Sequence, residues 1–107
     1  MSYKQENHII LMRIMRIFDA NVENGKLVLI NKSNKKVLLR LVTLHYQVTA
    51  ITLEEQRITK TISEDKNIEK EIPPNGKIEV ESQLPYLKSI SIIYKIDDKT
   101  FRDDIEF

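Results

Sequence analysis

The chain has 107 residues, 41% hydrophobic and 31% charged, with 17 basic and 16 acidic side chains and no cysteine. That length holds one domain, residues 1–107, and that balance is globular rather than disordered. A net charge of +1 argues against a dedicated duplex-binding protein, whose affinity comes from neutralising phosphates, and a chain without cysteine has no disulfide framework and no thiolate metal site.

Residues 1–8 read as disordered. The apolar run that follows, Ile9-Ile-Leu-Met-Arg-Ile-Met-Arg-Ile17, is about half the roughly 20 residues a membrane-spanning helix needs, and Arg13 and Arg16 break it. Asp19, Asn21 and Glu23 come next, where a signal peptide would carry small residues at a cleavage site. The expectation is a soluble, cytoplasmic protein with no membrane span. As a short amphipathic helix, residues 9–17 would stack Ile10, Ile14 and Ile17. As an extra strand they would align Ile10, Met12 and Ile14. Periodicity alone does not decide so short a run, and the strand reading is favoured because it continues into the hairpin beyond.

From Phe18 the rhythm is two. Phe18, Ala20 and Val22 alternate with Asp19, Asn21 and Glu23, then Asn24-Gly25 precedes Lys26-Leu-Val-Leu-Ile30. Asn-Gly between two such runs marks a two-residue hairpin, because both central residues need positive φ. The register then opposes Val22 to Leu27 and Ala20 to Leu29, placing Phe18, Ala20, Val22, Leu27 and Leu29 on one face. The polar stretch from Asn31 to Lys36 is a turn. Val37–Val48 is apolar on both parities: Leu38, Val42, Leu44, Tyr46 and Val48 on one, with Arg40 interrupting, and Val37, Leu39 and Leu41 on the other. Such a strand belongs in the middle of a sheet or under a cover.

Ile58–Ile62 reads as a shorter strand, and the charged run Glu64–Lys70 as a loop. Ile72-Pro-Pro-Asn-Gly76 is a tight turn, with Pro fixing φ and Asn-Gly supplying the reversal. Ile78 and Val80 then oppose Glu79 and Glu81. Leu84-Pro-Tyr-Leu87 makes a corner, where Tyr86 is placed as a tyrosine corner would be, although an ordinary half-buried Tyr is the favoured reading. Ile90, Ile92, Tyr94 and Ile96 alternate with Ser89, Ser91 and Lys95. Asp97-Asp-Lys99 turns the chain, and Phe101, Ile105 and Phe107 finish opposite Arg102, Asp104 and Glu106. About seven short strands joined by turns predict an all-β, immunoglobulin-like antiparallel β-sandwich.

No catalytic constellation stands out. His8 and His45 are far apart and have no partner at metal-ligand spacing. His45 reads as an exposed strand residue beside Thr43 and Gln47. The pairs Glu69/Glu71 and Glu79/Glu81 oppose the apolar parity and read as solvated. Asp97, Asp98, Asp103 and Asp104 match no calcium loop. No Gly-x-Ser-x-Gly elbow or Gly-rich phosphate loop is present. The expectation is a protein without enzymatic activity, metal or cofactor. Lys32, Lys35, Lys36 and Arg40 form a candidate basic patch that could contact phosphate or an acidic partner. Asn31-Lys32-Ser33 is a formal glycosylation sequon. Surplus apolar surface is the best functional hint, with Ile10, Ile14, Ile17, Leu39 and Leu41 as candidate interface residues. The implied partner is another protein or a second copy in a homodimer, with nucleic acid as the weaker alternative.

Four segments carry a resemblance: Gly25-Lys-Leu-Val-Leu-Ile-Asn31, Val37-Leu-Leu-Arg-Leu-Val42, Ile72-Pro-Pro-Asn-Gly76 and Ile90-Ser-Ile-Ile-Tyr94. Through them, Phe18 to Phe107 resembles small immunoglobulin-like domains of archaeal and bacterial surface or accessory proteins. The resemblance implies a sandwich used as a non-enzymatic module of filaments or envelopes. The richness in Ile, Lys and Glu suits a heat-adapted organism, although an AT-rich genome gives the same bias.

Overall fold

The computed structural model describes residues 17–107. The readings made for residues 1–16, including those for Ile10 and Ile14, lie outside the described residues. Seven strands follow in order: β1 (Phe18–Glu23), β2 (Lys26–Asn31), β3 (Val37–Ile51), β4 (Arg57–Ile72), β5 (Lys77–Val80), β6 (Leu87–Ile96) and β7 (Lys99–Glu106). A 3-10 turn, Leu84–Tyr86, precedes β6. The strands form two antiparallel sheets, β1-β2-β5 and β4-β3-β6-β7. The architecture is an all-β sandwich, as expected. No described helix is long and apolar enough to cross a membrane.

The first hairpin has the expected register, Val22 opposite Leu27 and Ala20 opposite Leu29. Asn24 and Gly25 both take positive φ, 52° and 76°, as this turn demands. Phe18, Leu27 and Leu29 are fully buried against Val37, Leu39, Val42, Leu44, Ile90 and Ile92 of the larger sheet. At its edge Phe18 meets Tyr94 edge-on at 5.5 Å, and Tyr94 stacks on Phe101 at 5.6 Å.

The two apolar parities of β3 are joined by a bulge. Leu39 opposes Tyr94 and Leu41 opposes Ile93, so Arg40 has no counterpart on β6. The extra residue turns the alternation over. Val37 and Leu39 before it, and Val42, Leu44 and Tyr46 after it, all face the core, while Leu38 and Leu41 are half-buried on the outside. The central position of β3 between β4 and β6 matches its double-sided hydrophobicity.

The charged run read as a loop is strand. β4 continues unbroken by any turn from Arg57 to Ile72, with Glu64–Lys70 inside it. Among the described strands it lies at the edge of its sheet, paired only with β3, and it is exposed over nearly its whole length. A wet edge strand has no core to satisfy, so its charges carry no loop signal. One β-bulge interrupts its ladder where Leu39 and Leu41 oppose Lys70 and Asn67, with Glu69 at φ 50°.

The Ile72–Gly76 turn carries the chain from the larger sheet to the smaller one. The left-handed residue is Asn75 (φ 62°), and Gly76 is needed for room. A Cβ there would sit 2.9 Å from Ile72 Cγ2, Pro73 Cδ and Pro73 O. Asn31 holds this corner. Its backbone receives Asn75 N–H at 2.7 Å and donates to Gly76 O at 3.0 Å. Its fully buried side-chain amide donates to Lys35 O (2.9 Å), Ile72 O (2.9 Å) and Pro73 O (3.2 Å). Its Oδ1 accepts from the Ser33 N–H and hydroxyl. The sequon nitrogen is therefore spent inside the fold and is not available for glycosylation there.

Candidate functional site

The larger sheet outruns the smaller one. β3 pairs with β6 only as far as Tyr46 opposite Leu87. Beyond that point Gln47–Ile51 pair only with Arg57–Thr61, around a turn tied by Thr52 N–H to Gln56 O and Glu55 N–H to Thr52 O, both 2.9 Å. Glu55 reverses the chain at φ 62°. The result is a two-stranded arm. Ile58, Lys60 and Ile62 oppose Ala50, Val48 and Tyr46, so the face that buries the core inside the sandwich continues along the arm without a second sheet over it. Ile58 is 42% exposed, Ile62 51% and Ile51 70%, and Leu53 at the tip is fully exposed.

Tyr46 anchors the base of the arm. Its hydroxyl accepts the Gln83 N–H and donates to Glu64 Oε1, each at 3.3 Å. Burial pushes its phenol pKa up, and the Glu64 charge adds to this against the opposing Gln83 hydrogen bond. The tie to backbone beside the corner thus belongs to Tyr46 on β3. Tyr86 is half exposed, nearer the ordinary side chain favoured for that position than a tyrosine corner.

The free edge of β4 adjoins the same arm. Among the described strands its outer side has no partner, and at 16 residues it is far longer than the other edges, β1 with 6, β5 with 4 and β7 with 8. Long free edges are open templates for another strand.

A second feature crosses the outer face of the larger sheet. His45 Nδ1 lies 2.9 Å from Ser63 Oγ on β4, and Nε2 lies 3.0 Å from Ser91 Oγ on β6. Arg102 on β7 donates to Ser91 Oγ at 3.3 Å and to Asp104 Oδ1 at 3.1 Å. The Ser91 hydrogen bond, then Arg102, holds the Asp104 carboxyl below its ordinary value. Thr43 donates to Asp65 at 2.8 Å in the adjoining row. The base-to-hydroxyl distance suits a nucleophile pair. Yet among the described residues the His45 ring nitrogens meet only serine hydroxyls, and the cleft above it is open, lined also by Gln47 and Lys88. The network joins four strands and reads chemically as a hydrogen-bonded surface. The polar alternation of Thr43, His45, Gln47, Ser89, Ser91, Arg102 and Asp104 was visible in the sequence; the strand pairing that brings them together was not.

The remaining sequence candidates are dispersed. Leu39 is fully buried in the core, which removes it from any interface; the Arg40 bulge turns it inward. Leu41 is half-buried on the outer face, and Ile17 packs half-buried against the core. In the basic patch Lys35 pairs with Asp97 (3.7 Å), Lys36 with Glu71 (3.2 Å) and Arg40 with Glu69 (3.2 Å), while Lys32 is exposed. Of the last-turn aspartates, Asp97 goes to Lys35, Asp103 accepts from Tyr94 and Asp104 from Arg102. Among the described residues no three His, Asp or Glu side chains converge as a metal site. No protein-family model, curated protein or solved structure matches the chain.

Proposed function

We propose that the chain is a non-enzymatic protein-interaction or assembly module that engages its partner through the β3–β4 arm. The observation that carries this reading is the arm itself. An isolated two-stranded ribbon is marginal in water, yet this one projects past its last β6 partner with Ile51, Leu53 and Ile58 exposed along it and Ile62 exposed at its base. Apolar surface at such a place is explained by something that covers it. The strand order supports the immunoglobulin-like expectation as well. β1, β2 and β5 face β3, β6 and β7 as strands A, B and E face C, F and G, with β4 added outside C. The nucleic-acid alternative has less support, because carboxylates pair with three of the four patch cations.

The test compares the wild type with an Ile58→Ser/Ile62→Ser variant. Association is read by light scattering over a concentration series, and capture is read by pull-down from source cells with quantified bait. The expected result is association or capture that the variant loses while its circular dichroism is unchanged. Equal behaviour of the two proteins in both measurements overturns the reading.

A further inference from the structure

We infer that the partner of the arm is a second copy of this chain, joined antiparallel along β4 about a twofold axis at Ile62, so that two four-stranded sheets become one sheet of eight. This rests on the interaction reading above and commits it to one occupant and one register.

The argument begins with the part of β4 able to pair without a break. From Leu41 opposite Asn67 to Ile51 opposite Arg57 the ladder with β3 has no register shift, and the β-bulge at Glu69 ends it. The regular stretch is therefore Arg57–Asn67, and its middle residue is Ile62. A second copy using the whole stretch sets its axis there.

Charge selects the same register. Side chains alternate between faces, so residues of one face must oppose residues of the same face, and the pairing can slide only in steps that keep this match. With the axis at Ile62, the two Ile62 side chains meet. Lys60 opposes Glu64 of the second copy on each side of the axis, Ile58 meets the stem of Lys66, and Thr59 opposes Asp65. No like charges face each other. Moving the axis to Ser63 sets Lys60 against Lys66. Moving it to Thr61 keeps one unlike pair, Arg57 with Asp65, but sets Ile62 against Lys60 and Ile58 against Glu64. Charges pointing from the inner face of an edge strand ordinarily discourage pairing. In the Ile62 register they instead find complements, whereas the Ser63 register sets like charges directly opposite and the Thr61 register sets Lys60 and Glu64 against isoleucines. The other edges offer less, being 4 to 8 residues long, and β7 carries the half-buried Asp103 against its Tyr94 neighbour.

The chain has no native cysteine, so a single introduced thiol reports the register. Ile62→Cys is expected to oxidise to a disulfide-linked dimer. Ile58→Cys, on the same face and also exposed, is not, because its counterpart is Lys66. Sedimentation of Lys60→Glu and of Glu64→Lys is expected to show dimerisation weakened about tenfold or more, since each change acts twice across the axis. The double swap Lys60→Glu/Glu64→Lys is expected to restore it. Glu64 also accepts from Tyr46 and faces Lys66 at 3.6 Å, so rescue by the double swap separates pairing across the axis from a local effect. A dimer indifferent to these charges, or cross-linked as well through Ile58→Cys, overturns the register and leaves the interaction reading standing. A strict monomer overturns self-pairing altogether, and the interaction reading then turns on arm-dependent capture alone.

Discussion

Asn31 shows how one polar side chain can be worth more inside a sandwich than an apolar one. Its amide protons are shared among three carbonyls from two separate loops, and its oxygen takes two donors from Ser33. Asn31→Asp would aim a carboxylate oxygen at those same carbonyls. Removing a buried donor costs about 1–3 kcal/mol, and more when a charge is left behind. The expected result is a lower urea midpoint, corresponding to a stability loss of at least about 2 kcal/mol, with Asn31→Ala milder. Tyr94 sets a different limit. Burial first, then the charge of the Asp103 carboxylate that accepts a hydrogen bond from its hydroxyl, pushes its phenol far above 10.0. The folded state therefore holds the proton that the unfolded chain gives up near pH 10. Stability from this group is intact below that pH and falls as pH rises past it. Tyr94→Phe keeps the ring between Phe18 and Phe101 and is expected to flatten the alkaline limb of a stability–pH curve, at a cost of about 1 kcal/mol at neutrality for the lost hydrogen bond. An unchanged alkaline limb would remove Tyr94 from that account and leave Tyr46, also raised, as its source.

At the scale of elements, what was legible in the sequence follows how much core each strand touches. The β1–β2 hairpin was readable to the residue, because Asn24-Gly25 fixes a turn and the turn fixes the register. β3 was readable as a strand buried on both sides, but the face of each residue was not. The bulge at Arg40 reverses the parity halfway along, and nothing in the composition of Leu39-Arg40-Leu41 marks an extra residue. β4 was half missed. Its distal part alternates Ile with Thr, whereas Glu64–Lys70 has charges on both faces because little of either face is covered beyond Ile68, which packs against the core. The same lack of cover predicts uneven opening. Amides of Gln47–Thr61 are held only by each other and are expected to exchange with deuterium well before those of β3 from Leu38 to Tyr46, where strands flank both sides. Exchange in the arm as slow as in the centre of β3, measured at high dilution, would contradict this.

For the whole molecule, the two sheets are unequal, and function is read from the inequality. The smaller sheet has strands of 6, 6 and 4 residues, while β3 and β4 run to 15 and 16. The sequence placed Val37–Val48 and Ile58–Ile62 in strands and noted surplus apolar side chains, but it put the surplus on residues such as Leu39 that the core absorbs. The surface on which the proposal rests depends on where β6 stops pairing, a fact of relative strand length that no single segment carries. The His45 network was hidden for a related reason: its members lie on four strands between residues 45 and 104, and each looks like an ordinary solvent-facing position until the ladders set them side by side.

The corner that Asn31 closes and the tip of the arm lie at opposite ends of β3. One amide latches loops from both sheets, so that pole cannot loosen one strand at a time. The other pole can fray, bend or accept a new neighbour without disturbing a core side chain. Among the described residues the domain is thus clamped at one end and open at the other, so substitutions along the arm are expected to leave the latched end folded.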